Sequence, residues 1–141
     1  TPDSIGTYVE ALLSSYLVLE CPFFTFSERK RIVRPIKYYP IDTGLHRAIV
    51  SRSGEDKGKY LETIVFHFLR KKFKDVSYWK GKNEVDFVVP DGRRVLPIQV
   101  TWADTQERHE LAVQEFNKEF SNAKPALFVN HRNVEEFLET F

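Results

Sequence analysis

Cysteine and methionine are almost absent from this sequence, which has one cysteine, Cys21, and no methionine in 141 residues. One cysteine excludes an internal disulfide and a Cys-rich zinc site, and its apolar neighbours suggest a small buried side chain in a reducing compartment. No run approaches the roughly 18 apolar residues of a membrane-spanning helix. No basic stretch followed by an apolar one opens the chain. We therefore expect a cytoplasmic protein with no membrane partner.

Two further absences concern the wider protein. Methionine is missing even at position 1, which predicts that the chain is a piece of a longer protein. No Gly-rich Walker loop occurs, so we expect no ATP site in this fragment. With 42% hydrophobic content, 141 residues are enough to bury one core and carry a small appendage.

The net charge of +1 conceals a strong asymmetry along the chain. Residues 1–28 carry four acids and no Lys or Arg, residues 29–82 carry fifteen bases and five acids, and residues 83–141 carry six bases and eleven acids. A basic middle segment is typical of a nucleic-acid footprint. Solvated helix and loop faces explain the run "RKKFK" at least as well. The candidate nucleic-acid contacts are Arg29, Arg31, Lys71, Lys72 and Lys74.

Residues 1–52 are predicted to form a winged-helix-like tail and connector. Periodic apolar residues predict a helix over about 4–15, capped by Asp3 or Ser4. The segments "YLVLE" and "FFTFS" predict a short hairpin, with Arg29 and Arg31 on the wing that follows it. A short strand is predicted over 38–41, then a turn at 42–44 and a short helix.

Residues 53–141 are predicted to form the main domain, after the loop "SRSGEDKGK". Apolar spacing predicts a helix over 59–73. Strands are predicted over 76–80, 85–89 and 95–101, with Asp91-Gly92 as the turn between the last two. A helix capped by Asp104, a strand at "ALFVN" and a final helix follow. The order α-β-β-β-α-β-α predicts an α/β fold with a mixed central sheet flanked by helices.

Four polar side chains interrupt the predicted sheet: Glu84 and Asp86 in one strand, Gln99 and Thr101 in the next. The period of two places each pair on one face, and the hairpin makes the two strands neighbours. Asp86 and Gln99 are then cross-strand neighbours in a patch near a sheet edge. Glu62, at the margin of the buried helix stripe, faces the same patch. The solvated face of an edge strand explains these acids about as well as a metal site does.

An acid on the first helix, an acid on the second strand and a polar-x-polar pair on the third resemble the PD-(D/E)XK, or restriction-endonuclease-like, nucleases. The segments "GTYVEALLSSYLVLE", "KYYPIDTGL", "KYLETIVFHFL", "YWKGKNEVDFVV" and "PIQVT" are similar to one branch of that fold. It is the C-terminal domain of unknown function that follows the ATPase module of prokaryotic AAA-type ATPases. The similarity runs from about Thr7 to about Phe120 and implies an N-terminal ATPase module that this chain lacks.

The resemblance also implies a site. In active nucleases of this fold, carboxylates hold Mg²⁺ and a lysine stabilises charge on the reacting phosphate. Glu62 and Asp86 occupy the positions of the acids and Mg²⁺ ligands, Gln99 that of the third-strand acid, and Thr101 that of the lysine. An uncharged Gln99 is a poorer ligand for a hard cation, and Thr101 carries no charge. The resemblance therefore predicts a vestigial site in a module that binds nucleic acid or a partner for its ATPase.

Two alternatives stay open from the sequence. The first is an active Mg²⁺-dependent DNA or RNA nuclease in which Lys80, Lys82 or Arg108 supplies the missing cation. The second is a purely structural or oligomerising domain, which requires a neutral patch and no affinity for nucleic acid. For Gln99 and Thr101 themselves, the alternative to ligation is a hydrogen-bonding pair that closes the gap left by the old site.

Overall fold

The computed structural model of the protein describes residues 1–44 and 57–141. Within them lie five helices: α1 (Pro2–Ser14), α2 (Glu28–Val33), α3 (Lys57–Lys72), α4 (Glu107–Glu119) and α5 (Val134–Glu139). The six strands are β1 (Val18–Cys21), β2 (Lys37–Pro40), β3 (Ser77–Lys80), β4 (Glu84–Asp91), β5 (Arg94–Val100) and β6 (Leu127–Val129). Over these two ranges, no helix has the length and apolar content needed to cross a membrane.

The central sheet has four strands in the order β3-β4-β5-β6. The first three are antiparallel, and β6 runs parallel to β5. Gly92, whose φ of 65° suits a residue without a side chain, turns β4 into β5 at the predicted place. The predicted mixed sheet, its flanking helices and the element order from α3 onward are confirmed.

Helix α3 supplies much of the core. Its buried apolar side chains recur at helical spacing and include Leu61, Val65, Phe66 and Leu69. Phe66 has no exposed surface and stacks on Tyr39, with ring centroids 4.2 Å apart, and on Phe87, at 5.9 Å. The helix predicted over 59–73 is therefore confirmed, and it begins two residues earlier, at Lys57.

The hairpin predicted from "YLVLE" and "FFTFS" is wrong. Strand β1 pairs instead with β2, antiparallel, from Val18 opposite Pro40 to Cys21 opposite Lys37. The chain after Pro22 continues to the central sheet, where the Phe24 N–H donates to the Tyr78 carbonyl at 2.6 Å. Local apolar content identified strand-like residues but not their partners, which lie 16 or more residues away.

The wing predicted for Arg29 and Arg31 is also wrong, because both residues lie on α2. Ser27 caps this helix, since its hydroxyl accepts the Lys30 N–H at 3.4 Å. A Ser followed three residues later by a free backbone donor is a common N-terminal cap.

Two predicted caps are corrected as well. Thr1, not Asp3 or Ser4, caps α1 by accepting the Ser4 N–H at 3.3 Å. Helix α4 begins after Gln106, whose N–H donates to His109 Nδ1 at 3.0 Å. Asp104 instead pairs with Arg132 at 3.3 Å.

The predicted division at residues 52 and 53 lies outside the described residues, as do the short helix expected after 44 and most of the loop 51–59. On the described side, Cys21, Phe23 and Tyr39 belong to the same buried cluster as Phe66 and Phe87. The two-domain division therefore stays a prediction, although the tail and the main domain share buried contacts.

Replacing Phe66 by Ala is expected to lower the free energy of unfolding by about 3–5 kcal/mol, because the ring is fully buried between two aromatic neighbours. Ile32→Ala is the control, since Ile32 is 81% exposed and its loss should change stability by no more than about 0.5 kcal/mol. Urea unfolding at constant m-value measures both. A loss below about 1 kcal/mol for Phe66→Ala would contradict the packing described.

Candidate functional site

Asp86 and Gln99 are bonded to each other across the two central strands. The register pairs Phe87 with Ile98, so Asp86 and Gln99 are the next facing pair. Gln99 Nε2 donates to Asp86 Oδ2 at 2.8 Å, and the Val100 N–H donates to the same oxygen at 2.7 Å. Both side chains are buried, with 8% and 4% of their surfaces exposed. The cross-strand contact predicted from alternation is present.

Glu62 faces the same region from α3. It is buried despite its charge, and the Tyr39 hydroxyl donates to its Oε1 at 2.5 Å. Lys59 Nζ lies 3.5 Å from the other carboxylate oxygen. Glu62 therefore packs inward, as its place at the margin of the apolar stripe predicted.

Lys37 joins the acids into one group. Its Nζ donates a short hydrogen bond to Glu84 Oε1 and lies 3.7 Å from Glu62 Oε1. Strand alternation places Lys37 and Tyr39 on one face of β2, which explains why both reach the acids. We call Glu62, Glu84, Asp86 and Lys37 the carboxylate cluster.

The position of the cluster within the sheet differs from the prediction. The patch was expected near a sheet edge, but β4 and β5 are the two central strands. Glu84 is the first residue of β4, and Gln99 is the second-last of β5. The cluster therefore lies at the ends of the central strands, next to β2 and α3, and not on an edge strand.

Burial, together with the charge of Glu62, raises the pKa of Asp86 to about 7. The Val100 N–H and the Lys37 ammonium act in the opposite direction without restoring the ordinary value. Burial also acts to lower the pKa of Lys37, but the hydrogen bond to Glu84 and the nearby acid charges outweigh it, so this pKa is raised. At neutral pH, Lys37 is charged and Asp86 is partly protonated.

A cavity of about 490 Å³ opens beside the cluster. Glu62, Glu84 and Asp86 line it together with Gln99 and Thr101. Thr101 is half-buried, and its backbone N–H donates to the Val129 carbonyl at 2.9 Å. The other cations proposed from the sequence as replacements for the missing lysine line the same cavity: Lys80, Lys82 and Arg108.

The donor atoms of the cluster are largely committed to partners within the protein. Asp86 Oδ2 accepts two hydrogen bonds and Glu62 Oε1 accepts one. Gln99 turns its NH₂ group toward Asp86, and its Oε1 is buried with no hydrogen-bond partner among the described residues. Within ranges 1–44 and 57–141, no three His, Cys, Asp or Glu side chains are grouped to hold a metal ion. As arranged, the cluster does not fit Mg²⁺, and a Mg²⁺ ion at Glu62 and Asp86 stays a prediction that requires Lys37 to move.

The five predicted nucleic-acid contacts are all exposed, and their role stays a prediction. Arg31 and Lys74 line a second cavity, whereas Arg29, Lys71 and Lys72 lie outside it. Lys72 Nζ donates to the Phe141 carbonyl at 2.7 Å. The structure therefore brings two of the five together.

Sequence reasoning missed Lys37 and Tyr39. In the predicted strand at 38–41, alternation places Tyr39 and Ile41 on one face of the strand. A strand that began at Lys37 would have placed the lysine on that same face. No local signal indicates that this face packs on α3 and on the start of β4, because that depends on the pairing of β2 with β1.

Asp86→Asn is expected to remove one component of the pH dependence of stability. Because the pKa of Asp86 in the folded protein lies above its ordinary value of 3.8, the folded state binds this proton more tightly than the unfolded state. Its contribution to stability is complete below the unfolded pKa and is lost as the pH rises through the folded pKa. The resulting decrease in the free energy of unfolding should not exceed roughly 4 kcal/mol. Asn keeps an oxygen acceptor for Gln99 and Val100 but cannot titrate.

The measurement is the difference in unfolding free energy between the parent and Asp86→Asn, from urea titrations between about pH 4.5 and about pH 8. His109, whose pKa burial lowers, contributes with the opposite sign in both proteins and cancels in the difference. We expect the parent to lose stability relative to the variant as the pH rises. A difference that stays constant with pH would contradict the environment described for Asp86.

Comparison with known proteins gives a family but no activity. Residues 57–140 match a domain of unknown function, DUF4143. An uncharacterized protein of Haemophilus influenzae is 25% identical over 108 residues, which cover 76% of this chain and 27% of that protein. The chain thus spans about a quarter of the relative's length, and no solved structure matches it. Because the matched residues make up more than half of the chain, the protein belongs to the DUF4143 family.

Proposed function

We propose that this chain is a C-terminal, restriction-endonuclease-like module of an AAA-type ATPase, whose old metal site has become an internally paired cluster. In this proposal the module no longer cleaves nucleic acid but binds it, or a partner protein, for the attached ATPase. The observation that carries the proposal is the Lys37 ammonium bonded to Glu84 and 3.7 Å from Glu62. A protein cation in that place supplies the charge that a metal ion would otherwise bring.

The arrangement of the acids supports the nuclease-like ancestry. Glu62 lies on the helix before the sheet, Asp86 on its second strand, and Gln99 on its third. The run α3-β3-β4-β5-α4-β6 has the order that the resemblance implies. The small share of the H. influenzae relative that the chain covers leaves room for an ATPase module in such proteins.

The charges of the cluster support the loss of catalysis. Phosphodiester hydrolysis needs positive charge aimed at the phosphoryl oxygens as they become more negative. The charge of Lys37 is taken up by Glu62 and Glu84, and Thr101 offers only a hydroxyl. Partly protonated Asp86 would also be a weak ligand for a hard cation near neutral pH. The cluster is therefore suited to holding β2, α3 and β4 together rather than to activating water.

The domain is expected to show no cleavage of plasmid or single-stranded DNA with Mg²⁺ or Mn²⁺. Loss of one charge-stabilising donor typically costs about 10²- to 10³-fold in rate, and here both the lysine and the third acid are replaced. Nicking of supercoiled plasmid on agarose gels measures this. The double variant Gln99→Glu/Thr101→Lys tests whether restoring both groups restores metal-dependent nicking. Nicking by the parent that disappears in Asp86→Ala would overturn the proposal.

Weak, salt-dependent binding of nucleic acid through its backbone is the second expected property. If about four phosphates are neutralised, log K should fall against log salt with a slope near −0.9 per contact, roughly −3.6 in all. Fluorescence anisotropy with a labelled duplex across a salt series measures the slope. The parent is compared with two charge-reversal variants, Lys71→Glu/Lys72→Glu and Arg29→Glu/Arg31→Glu. Binding that is absent at low salt, or that ignores both charge reversals, would favour a structural role.

An active nuclease is the second candidate, and one observation favours it. Lys80, Lys82 and Arg108 line the same cavity as Glu62 and Asp86, so a cation from another position is available beside the acids. If the parent does nick plasmid, this candidate predicts that Lys80→Ala, Lys82→Ala or Arg108→Ala abolishes the activity.

An oligomerising domain is the third candidate, and the exposed apolar surface of α1 favours it. No residue of this helix is buried, and Ile5, Tyr8 and the following Tyr16 are 65%, 70% and 76% exposed. Such a helix is stabilised when its apolar face is covered. Sedimentation of the parent and of Ile5→Ser/Tyr8→Ser would reveal self-association through this face.

A further inference from the structure

A second cavity, of about 470 Å³, lies at the far end of the central strands from the carboxylate cluster. Its walls come from α2, the end of α3, the start of β3 and the turn between β4 and β5. We call it the basic groove, because its lining contains five cations and a single acid, Asp75. The cations are Arg31, Arg70, Lys74, Arg93 and Arg94.

Three of these arginines are held in place by the backbone. Arg31 donates to the Thr25 carbonyl at 3.1 Å, Arg70 to the Lys74 carbonyl at 2.9 Å, and Arg94 to the Ala123 carbonyl at 2.9 Å. A guanidinium has five N–H donors, so one such bond fixes its position and leaves others for a ligand. The groove is therefore preorganised for an anion with several acceptor oxygens, and a phosphate group has them.

The remaining two cations are not committed to any acid among the described residues. Both residues are exposed, and neither side chain forms a hydrogen bond with the described residues. Only their backbone carbonyls do: the Lys74 carbonyl accepts from Arg70, and the Arg93 carbonyl accepts from Asn122. The nearby acid Asp91 is paired with Lys124 and does not line the groove. Arg31 is paired with Glu28 at 3.2 Å, so the uncompensated positive charge of the groove comes mainly from its other cations.

An exposed aromatic ring lies in the same wall. Phe26 is 70% exposed and lines the groove. Its ring packs at steep angles of 73° and 72° against Phe24 and Phe120, with centroids 5.3 Å and 5.7 Å away. A ring that is held by two neighbours and is still 70% exposed is suited to stacking on a nucleobase.

We infer that the basic groove binds single-stranded nucleic acid, with backbone phosphates on the cations and one base stacked on Phe26. The inference rests on the proposed nucleic-acid role and deepens it by naming the surface and the form of the ligand. A single strand is favoured over a duplex because only an unpaired base exposes its face to an aromatic ring. The first cavity places its cations beside three acids, whereas the basic groove has five cations and one acid, so the groove is the surface that retains the strand.

The test compares four proteins, the parent, two charge-reversal variants and Phe26→Ala, by fluorescence anisotropy with a labelled oligothymidylate at low salt and across a salt series. Lys74→Glu/Arg93→Glu reverses the two cations whose side chains hold nothing else in the described structure. Lys118→Glu/Arg132→Glu is the matched control, because it makes the same change in net charge on residues that line neither cavity. Among the described residues, the Arg132 side chain pairs only with Asp104, in an exposed ion pair of small energetic value. Melting temperatures confirm that each variant is folded.

We expect the groove variant to bind at least about tenfold more weakly, and its salt slope to shrink by roughly 1.4, because each lost phosphate contact on a single strand removes about 0.7. The control variant should lose no more than about threefold through its general charge. Phe26→Ala, which deletes an exposed ring, should weaken binding about tenfold without changing the salt slope, because stacking is not ionic.

Each other outcome has a defined meaning. No binding by the parent would overturn the proposed nucleic-acid role itself, and the inference with it. Binding by the parent that the groove and control variants reduce equally would overturn the inference and leave the proposed role standing. Two further results would also overturn it, because the groove would then respond to charge alone. One is equal affinity for a duplex together with no effect of Phe26→Ala. The other is competition by polyglutamate that is as effective as competition by unlabelled oligothymidylate.

Discussion

The Lys37 ammonium, placed between the carboxylates of Glu62 and Glu84, is the interaction on which the centre of this protein depends. Acids that share a small, partly buried volume repel one another, and each loses hydration energy. One cation on β2 compensates both charges and ties the N-terminal strand pair to α3 and to the start of β4. The raised pKa of Asp86 shows the limit of this compensation, because burial and the charge of Glu62 outweigh the Lys37 ammonium at the third acid.

This arrangement separates two kinds of surface along the same pair of strands. At one end of β4 and β5, acids, amides and Lys37 satisfy one another around a cavity. At the other end, arginines anchored to backbone carbonyls surround a second cavity with few acids. The second end therefore has the larger excess of positive charge, because the first cavity places its cations beside three acids. Under the proposed function, the module would hold a strand at the basic groove and away from the carboxylate cluster.

Local patterns predicted the parts of the site that depend on one or two neighbouring elements. Alternation and the Asp91-Gly92 turn were enough to place Asp86 opposite Gln99, and helical spacing was enough to turn Glu62 inward. The strand order, the partner of β1 and the contact of Lys37 with the acids depend on residues distant in sequence, and no local pattern specifies them. The basic groove was predicted only through Arg31 and Lys74, because its other cations come from α3 and from a turn that meet only in the folded chain.

Metal titration followed by NMR tests most directly whether Lys37 stands in place of a metal ion. Stepwise addition of Mn²⁺ broadens the amide signals of residues near a bound ion, and the Gln99 and Val100 amides lie beside the cluster. In the parent, we predict that these signals broaden no more than those of residues far from the cluster. In Lys37→Met, where the acids lose their compensating charge, we predict selective broadening at Gln99 and Val100. Selective broadening in the parent at the same Mn²⁺ concentration would contradict the account.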